Sequence, residues 1–354
     1  MNDWRDKLRK VVPYTPGEQP QIKDVIKLNT NENPYPPSPL VREKLAWFDY
    51  ESLRKYPDPD SKALVSVLAK EYGVEENMVF VGVGSDDVLG MAFLTCFNSD
   101  KPVLFPDITY SFYDVWCELF GIKYETRPLD LNFEIVKEHY LCENGGIVIA
   151  NPNAPTSIAA DLSVLEEIIK ANSDSVVIID EAYIDFGGES ALQLINKYEN
   201  LLVVRTFSKS RSLAGIRIGF AIGNPELITA LNSVKNSYNS YTMNSLTIAV
   251  GVAALEDKAY FESTRDSIIA TRRKSVNLLK DLGFTCLESS ANFVFASHLS
   301  IPAKILFQEL RNRRIYVRYF EKPRIDNRLR ITIGTDEEMN KLVETLDRIV
   351  SKYA

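Results

Sequence analysis

One lysine stands out because of the residues around it. Lys209 lies between two serines in "RTFSKSRSLAGIRIG", shortly after a run of apolar residues. Most lysines in loops are solvated, but a partly buried lysine beside other cations can attack an aldehyde and form a Schiff base. The same stretch contains Ser208 and Arg217, and hydroxyl and guanidinium groups suit a phosphate. On its own, this stretch is compatible with a surface loop or with a segment that binds a phosphate-bearing ligand covalently.

Two other stretches place polar groups where strands are predicted to end. Asp180 follows four apolar residues in "VVIIDEAY", and Tyr183 comes three residues later. A carboxylate at the end of a buried strand is costly unless a cation neutralises it, although an aspartate there can also cap the next segment. "GVGSDD" joins a strand to a helix that we expect Ser85 to cap, and the free N–H groups of Ser85 and Asp86 favour an anion. It is not a dinucleotide fingerprint, because Asp87 occupies the third glycine position.

Taken together, these groups fit one cofactor. A pyridinium ring that carries a phosphate and is held on Lys209 needs an anion at the ring nitrogen, a donor at the ring hydroxyl and an aromatic face. Asp180 and Tyr183 would meet the first two needs, and Tyr110 in "FPDITYSFY" would meet the third. The combination predicts pyridoxal 5'-phosphate.

The order of apolar runs predicts how these groups meet. From about residue 60, short runs such as "MVFVGVG", "GGIVIAN" and "NLLVVRTF" alternate with amphipathic stretches such as "LSVLEEIIKAN". This pattern predicts an α/β fold with a mostly parallel central sheet flanked by helices. Ligands of such sheets bind outside the carboxyl ends of the strands, which is where Asp180 and Lys209 follow their apolar runs.

We predict three parts of the chain. Residues 1–40 are rich in proline and form an N-terminal arm, and the alternative of a disordered tail is opposed by aromatic residues such as Tyr14 and Tyr35. Residues 41–250 form the large cofactor-binding domain. Residues 251–354 form a smaller α+β domain, because a long polar helical stretch precedes three strand-like runs and a final helix.

Composition excludes several classes of function. The net charge of -7 opposes a general affinity for nucleic acid or anionic membranes, and no apolar run is long enough to span a membrane. Two histidines without an HExxH pattern predict no metal site. The N-terminal "MNDWRDKLRK" lacks the apolar core of a signal peptide. Four scattered cysteines without a CxxC pair are expected to be buried free thiols, which favours the cytoplasm.

Nearly the whole chain resembles the fold-type I, class II aminotransferases that depend on pyridoxal phosphate. The resemblance rests on "GVGSDDVL", "NPNAPTS", "DEAY", "TFSKSRSLAGIRIG" and "LRITIGT", while "PYTPGEQP" and "KLNTNENPYPPSP" are similar to the histidinol-phosphate branch. It implies a ping-pong transamination between L-histidinol phosphate and 2-oxoglutarate in histidine biosynthesis. The products would be imidazole acetol phosphate and L-glutamate.

The resemblance also implies a role for each matching residue. Lys209 would carry the cofactor, Asp180 would keep its ring nitrogen protonated, Tyr183 would bond the ring hydroxyl, and Tyr110 would cover the ring. The implied phosphate ligands are Ser85, the backbone N–H of Asp86, Ser208, Arg217 and, from the partner subunit of a homodimer, Tyr56. The implied ligands of the substrate's distal anion or the acceptor's carboxylate are Arg330, Tyr14 and Arg318.

One stretch departs from the family pattern. The usual NPNNPTG has an asparagine that bonds the ring hydroxyl, but this chain reads "NPNAPTS", with Ala154 at that position and Ser157 for the glycine. Asn153 or Asn151 could replace the missing amide, or Tyr183 could make the contact alone. Of the two asparagines, Asn153 is the candidate for this contact.

Three other functions stay open. The arginines would also suit an aromatic amino-acid aminotransferase or a threonine-phosphate decarboxylase, because both act on amines that bear an anionic group. A regulator that keeps the fold and binds a phosphate ligand without catalysis is the non-enzymatic alternative. The presence of Lys209, Asp180, Tyr183 and Arg217 argues against that regulator.

Overall fold

The structure is a computed structural model that describes residues 3–353. Its strands are β1 (Ile26–Lys27), β2 (Val79–Gly82), β3 (Val103–Pro106), β4 (Tyr124–Arg127), β5 (Gly146–Ala150), β6 (Val177–Asp180), β7 (Leu201–Thr206), β8 (Gly219–Gly223), β9 (Phe284–Cys286), β10 (Phe293–His298), β11 (Ile315–Tyr316), β12 (Arg318–Tyr319) and β13 (Leu329–Thr332). Its α-helices are α1 (Pro39–Ala46), α2 (Lys62–Tyr72), α3 (Ser85–Cys96), α4 (Tyr113–Phe120), α5 (Leu162–Ala171), α6 (Pro225–Tyr238), α7 (Ser245–Glu256), α8 (Lys258–Asp281), α9 (Ala303–Asn312) and α10 (Asp336–Tyr353).

A seven-stranded sheet in the order β2-β8-β7-β6-β5-β3-β4 confirms the predicted α/β fold. The pairs from β4 to β7 are all parallel, whereas β8 runs antiparallel to both of its neighbours. The reversal at β8 has a simple cause: residues 207–218 contain no crossover helix, so the chain turns back beside β7. That turn carries Lys209.

Helices cover both faces of this sheet. Side chains of successive strand residues alternate between two cores, with Ile147 and Ile149 in one and Val148 in the other. The first core is closed by α1, α2, α5 and α7, and the second by α3, α4 and α6. A sheet buried on both faces leaves its edges and strand ends as the places where a ligand can reach it.

A second, antiparallel sheet has the order β12-β13-β10-β9 and packs against α8, α9 and α10. One of the three strand-like runs predicted for the C-terminal domain, "IYVRYF", forms two strands: β11 pairs with β1, while β12 joins the second sheet. Leu28, just after β1, is buried in the same core. The proline-rich N-terminal segment therefore contributes a strand and a core side chain, and the boundaries at residues 40 and 250 stay predictions.

Two local predictions are wrong. Gly84 is the N-cap of α3, and Ser85 is the first helical residue. Cys142 is exposed, although all four cysteines are free as predicted. Among the described residues, no helix combines the length and the apolar character needed to cross a membrane.

Candidate active site

One cavity collects most of the predicted site residues at one edge of the seven-stranded sheet. The carboxyl ends of β2, β3, β5, β6 and β7 meet there, together with the start of the antiparallel β8. Of the predicted residues, the cavity is lined by Ser85, Asp86, Tyr110, Asp180, Tyr183, Ser208, Lys209 and Arg217. An adjoining cavity is lined by the other predicted set, Tyr14, Arg318 and Arg330, and shares Tyr110, Tyr183 and Lys209 with the first.

Lys209 lies three residues beyond the end of β7 and is half-buried. Its Nζ donates to the carbonyl oxygen of Thr30 at 3.2 Å and lies 5.8 Å from the ring centroid of Tyr183. Its own carbonyl accepts from Nδ2 of Asn33 at 3.0 Å. The segment that contains Thr30 and Asn33 thus holds the lysine at both its backbone and its amine.

Asp180 is a buried acid at the end of β6 without a cationic partner in the described chain. Tyr113 donates its hydroxyl proton to Oδ2 at 2.8 Å, and the backbone N–H of Ala182 donates to Oδ1 at 3.3 Å. Burial raises the pKa of Asp180 to about 6, and these two donors lower it only in part. A cation facing this carboxylate would remove the cost of burying its charge.

The start of α3 is shaped for an anion. The helix has no side-chain cap in the described chain, so the N–H groups of its first turn are available. Gly84 has a φ of 87°, and a Cβ there would collide with the guanidinium of Arg217. Arg217 forms a 3.0 Å ion pair with Asp86, whose other oxygen accepts from the hydroxyl of Tyr110 at 2.8 Å. Asp86 therefore contributes its carboxylate to this corner as well as its backbone N–H.

The adjoining cavity holds two arginines without acidic partners among residues 3–353. Nη2 of Arg330 donates to the carbonyl of Asn29 at 2.9 Å, and its Nε has no partner in the described chain. Burial lowers the pKa of Arg330. Arg318 donates only to backbone carbonyls, at 3.3 and 3.4 Å. Tyr14 closes this side by stacking on Phe112 with 4.3 Å between the ring centroids.

Two predicted residues lie outside both cavities. The side chain of Asn153 donates to the carbonyl of Ile108 and to the hydroxyl of Thr156, and it accepts from the hydroxyl of Thr109, so its amide is fully used by the loops after β3 and β5. Asn153 therefore does not reach the place of the missing family asparagine, whereas Ala154 does line the cavity. Tyr56 is 82% exposed and stacks on Tyr241, and its expected role in a partner subunit stays a prediction.

Sequence reasoning missed three residues of the site. Thr30 receives the bond from Lys209, Asn31 donates to the hydroxyl of Tyr183, and Tyr113 holds Asp180. Tyr113 had a local signal, since it is a hydroxyl-bearing side chain on the buried face of α4, where a polar group needs a partner. The two N-terminal residues had none, because their contacts are more than 150 residues away in the chain.

Comparison with known proteins places this site in a family. The model of the class I and II aminotransferases matches residues 23–346. A histidinol-phosphate aminotransferase of Acinetobacter baumannii (strain SDF) is 54% identical over 98% of this chain and 97% of its own length. The chain belongs to the histidinol-phosphate aminotransferase family. Another family member, from Clostridium acetobutylicum, is 51% identical over 98% of this chain and 99% of its own length.

Solved structures support the fold of this family member. A histidinol-phosphate aminotransferase from Sinorhizobium meliloti in complex with pyridoxal-5'-phosphate has a TM-score of 0.86 and 24% identity, covering 93% of this chain and 92% of that one. An aspartate aminotransferase from Thermotoga maritima has a TM-score of 0.81 and 20% identity, with coverages of 93% and 92%.

Membership of the aminotransferase family makes pyridoxal 5'-phosphate the cofactor, and the described residues fit it. The unneutralised Asp180 suits a protonated ring nitrogen, and the uncapped start of α3 beside Arg217 suits the phosphate. Lys209 lies in the same cavity as both. The chain therefore has a separate group for each polar part of the cofactor. It lacks only the second donor to the ring hydroxyl, because Ala154 replaces the family asparagine.

Proposed function

We propose that the protein transfers the amino group of L-histidinol phosphate to 2-oxoglutarate, as a step of histidine biosynthesis. The observation that carries the proposal is one continuous site that contains Lys209, Asp180 and an anion-binding helix start beside two arginines that have no acidic partner among residues 3–353. The curated relatives at 51% to 54% identity carry the name histidinol-phosphate aminotransferase, which supports this donor over the aromatic and threonine-phosphate alternatives.

The proposed holding of the cofactor uses the groups of the first cavity. Lys209 would bind it covalently, and its phosphate would lie against Ser85, the N–H of Asp86, Ser208 and Arg217. When bound, the cofactor supplies an electron sink for the negative charge that develops on the substrate carbon. Asp180 keeps the ring nitrogen protonated, because its buried carboxylate gains a cationic partner only in that state.

Lys209 also moves the proton in this proposal. The free amine of Lys209 would take the proton from the carbon that bears the substrate's amino group, and would return a proton later in the cycle. Thr30 keeps Nζ on the Tyr183 side of the cavity through its carbonyl. Tyr14, which is held by stacking on Phe112, lines the adjoining cavity and helps to exclude water from it.

Arg330 and Arg318 are proposed to bind the anionic ends of both substrates in turn. Both guanidinium groups face the adjoining cavity, and neither is neutralised by an acid in residues 3–353. A phosphate and a carboxylate each accept two parallel hydrogen bonds from a guanidinium. One site can therefore hold the donor's phosphate in the first half-reaction and a carboxylate of the acceptor in the second.

Half-reaction rates with three donors test this assignment. We expect the visible absorption of the bound cofactor to change at least about 100-fold faster with L-histidinol phosphate than with phenylalanine, whose side chain has no anion for the arginines. Equal rates would favour the aromatic aminotransferase, and release of carbon dioxide from threonine phosphate would favour the decarboxylase. A colourless protein that takes up no pyridoxal phosphate would favour the regulator.

We also propose a homodimer in which Tyr56 completes the partner's phosphate site. Exposed aromatic side chains occur in the same segments as Tyr56 and its stacking partner Tyr241, with Trp47 at 87% exposure, Tyr50 at 73% and Tyr238 at 75%. Large exposed aromatic patches mark protein interfaces, and the Tyr56 ring is held by stacking on Tyr241 at 4.6 Å.

A charge placed among these exposed aromatic residues tests the dimer. Trp47→Asp is expected to give monomers in sedimentation velocity and weaker cofactor binding, since an unpaired carboxylate is costly in an interface. Leu131→Asp is the matched control, because Leu131 is also almost fully exposed but lies in another segment. A wild-type protein that sediments as a monomer, or an unaffected Trp47 variant, would contradict the proposed dimer.

The cytoplasm is the proposed location. The four cysteines are free, including the exposed Cys142 and the buried Cys117. Free thiols persist where the redox environment is reducing.

A further inference from the structure

Because residue 154 is an alanine, the cofactor's ring oxygen lacks the hydrogen bond that the family asparagine would donate. The amide of Asn31 lies beside Tyr183, the remaining donor. Nδ2 of Asn31 donates to the hydroxyl oxygen of Tyr183 at 2.9 Å. We propose that Asn31 is a positioning residue that aims the hydroxyl proton of Tyr183 at the ring oxygen of the cofactor. This inference rests on the proposed function, because it needs pyridoxal phosphate in the cavity that Tyr183 lines.

The direction of the Asn31–Tyr183 hydrogen bond follows from the groups on the other side of Asn31. The backbone N–H of Asn31 donates to Oγ1 of Thr332 at 3.0 Å, and the same hydroxyl donates to Oδ1 of Asn31 at 3.1 Å. The oxygen of the amide is thus turned to Thr332 and its NH₂ group to Tyr183. Since the tyrosine oxygen accepts from Asn31, its own proton is free to be donated into the cavity.

Asn31 is held too firmly for this contact to be incidental. Only 1% of the residue is exposed, and its carbonyl accepts from Nδ2 of Asn292 at 3.0 Å. Its φ of 56° lies in the left-handed region, which asparagine adopts more easily than most residues. Tyr183 is fixed in turn by an edge-on contact with Phe293, with 5.1 Å between centroids. Buried networks of this kind lose little entropy when they bind a ligand.

The chemistry explains why an amide is needed at residue 31. A donor to the tyrosine oxygen polarises the phenol and makes it a stronger donor to the next acceptor in the chain. Ala154 offers only a methyl group to the same cavity, so residue 154 cannot act beside Tyr183 as a second donor to the ring oxygen. Asn31 thus strengthens the one remaining contact instead of adding a second one.

Two substitutions at residue 31 test the proposal through the spectrum of the bound cofactor. Asn31→Gly removes the amide and suits the positive φ, while Asn31→Asp keeps the size and would accept the tyrosine proton instead of donating. The visible absorption band changes when the nitrogen that links Lys209 to the cofactor loses its proton. Hydrogen-bond donors disperse the negative charge of the neighbouring ring oxygen, so weaker donors let that nitrogen keep its proton to a higher pH and move the midpoint upward. We expect a rise of about one pH unit for Asn31→Gly, with a cofactor Kd raised about 3- to 10-fold, and a larger rise for Asn31→Asp.

The other titratable groups near Tyr183 are the same in all variants. Lys209 and Arg330 are its charged neighbours, Glu32 lies beside Lys209 on the segment of Asn31, and Tyr110 and Tyr113 face it from the large sheet. In the Asn31→Gly variant a shift of the midpoint therefore reports the lost donor, whereas Asn31→Asp also adds a carboxylate whose charge raises the midpoint further. A purely structural role of Asn31 would lower the melting temperature and leave the midpoint unchanged, with the isosteric Asp variant the milder of the two.

A rescue and a matched control complete the experiment. Ala154→Asn restores an amide at the family position, so it should move the midpoint of the Asn31→Gly protein back towards the wild-type value. Asn29→Ala removes another buried asparagine of the same segment, one that donates to Glu18 at 2.7 Å and not to Tyr183, and should leave the midpoint unchanged. Wild-type midpoints and Kd values in both Asn31 variants would overturn the inference while the proposed function stands. A wild-type protein that binds no cofactor would overturn both.

Discussion

Lys209→Ala is expected to lower turnover by at least about 10⁴-fold, the upper end of what a positioned general base contributes. The same change should remove the covalent link, so that borohydride no longer fixes the mass of the cofactor on the protein. Both losses follow from one atom, because Nζ of Lys209 is the amine that lies in the cavity with Asp180 and Arg217. Turnover and intact mass after reduction are the two measurements.

Lys235 provides the control for this substitution. It is also buried, but its amine donates to the carbonyl of Pro59 at 2.7 Å and lines neither active-site cavity. Lys235→Ala is expected to lower the melting temperature and to keep the borohydride-fixed mass. A borohydride-reducible adduct that survives in the Lys209 variant would assign the covalent role to another residue.

The sequence predicted the site well where the chemistry depends on strand ends. Asp180, Lys209 and Tyr110 each follow a strand of a sheet whose parallel order could be inferred from alternating apolar runs, so their meeting at one edge was predictable. The turn back into β8 was not predicted, because "IRIGFAIG" has the same apolar texture as a parallel strand. Only the missing crossover helix distinguishes the two cases.

The supporting groups were hidden for a different reason. Asn31 reaches Tyr183 and Thr332 through contacts that span 152 and 301 residues, and no local pattern predicts such partners. The pairing of β1 with β11 and the hydrogen bond from the N–H of Thr332 to the carbonyl of Leu28 hold the N-terminal segment beside the second sheet, where these contacts form. Asn153 is a similar case: it lies next to the family position, but its amide bonds Ile108 and Thr109 as well as Thr156, and no local pattern predicts the first two partners.

Asp180→Asn is expected to stabilise the cofactor-free protein and to inactivate the loaded enzyme. Burial raises the pKa of Asp180 in the folded state to about 6, above the usual aspartate value of 3.8. Between these two pH values the folded state binds more protons than the unfolded state, so the free energy of unfolding falls as the pH rises. The full loss of stability from this group is present above about pH 6. Asparagine carries no charge and avoids the cost, which amounts to about 1 to 3 kcal/mol at pH 7.5.

Denaturant unfolding of the cofactor-free proteins at pH 4 and pH 7.5 measures this effect. The gain of Asp180→Asn over wild type should be present at pH 7.5 and nearly absent at pH 4. Tyr113→Phe removes the 2.8 Å donor and should act in the other direction, since it raises the pKa of Asp180 further and costs stability at pH 7.5. Glu181→Gln is the neighbouring control: Glu181 pairs with the buried Arg205 at 2.8 Å, so its loss should destabilise the protein by about 3 to 5 kcal/mol.

The loaded enzyme should respond to Asp180→Asn with the opposite sign. Asparagine cannot stabilise a protonated ring nitrogen as a carboxylate does, so turnover is expected to fall by about 10²- to 10³-fold, as when one electrostatic partner of a developing charge is removed. The cofactor should also add less to the melting temperature of the variant than to that of the wild type, because it no longer relieves a buried charge. A variant that is less stable than wild type without cofactor would show that hydrogen bonds to Tyr113 and Ala182, and not the missing cation, decide the energetics of this carboxylate. Residue 180 would then be a structural acid, since the wild-type chain would hold its charge without any help from the cofactor.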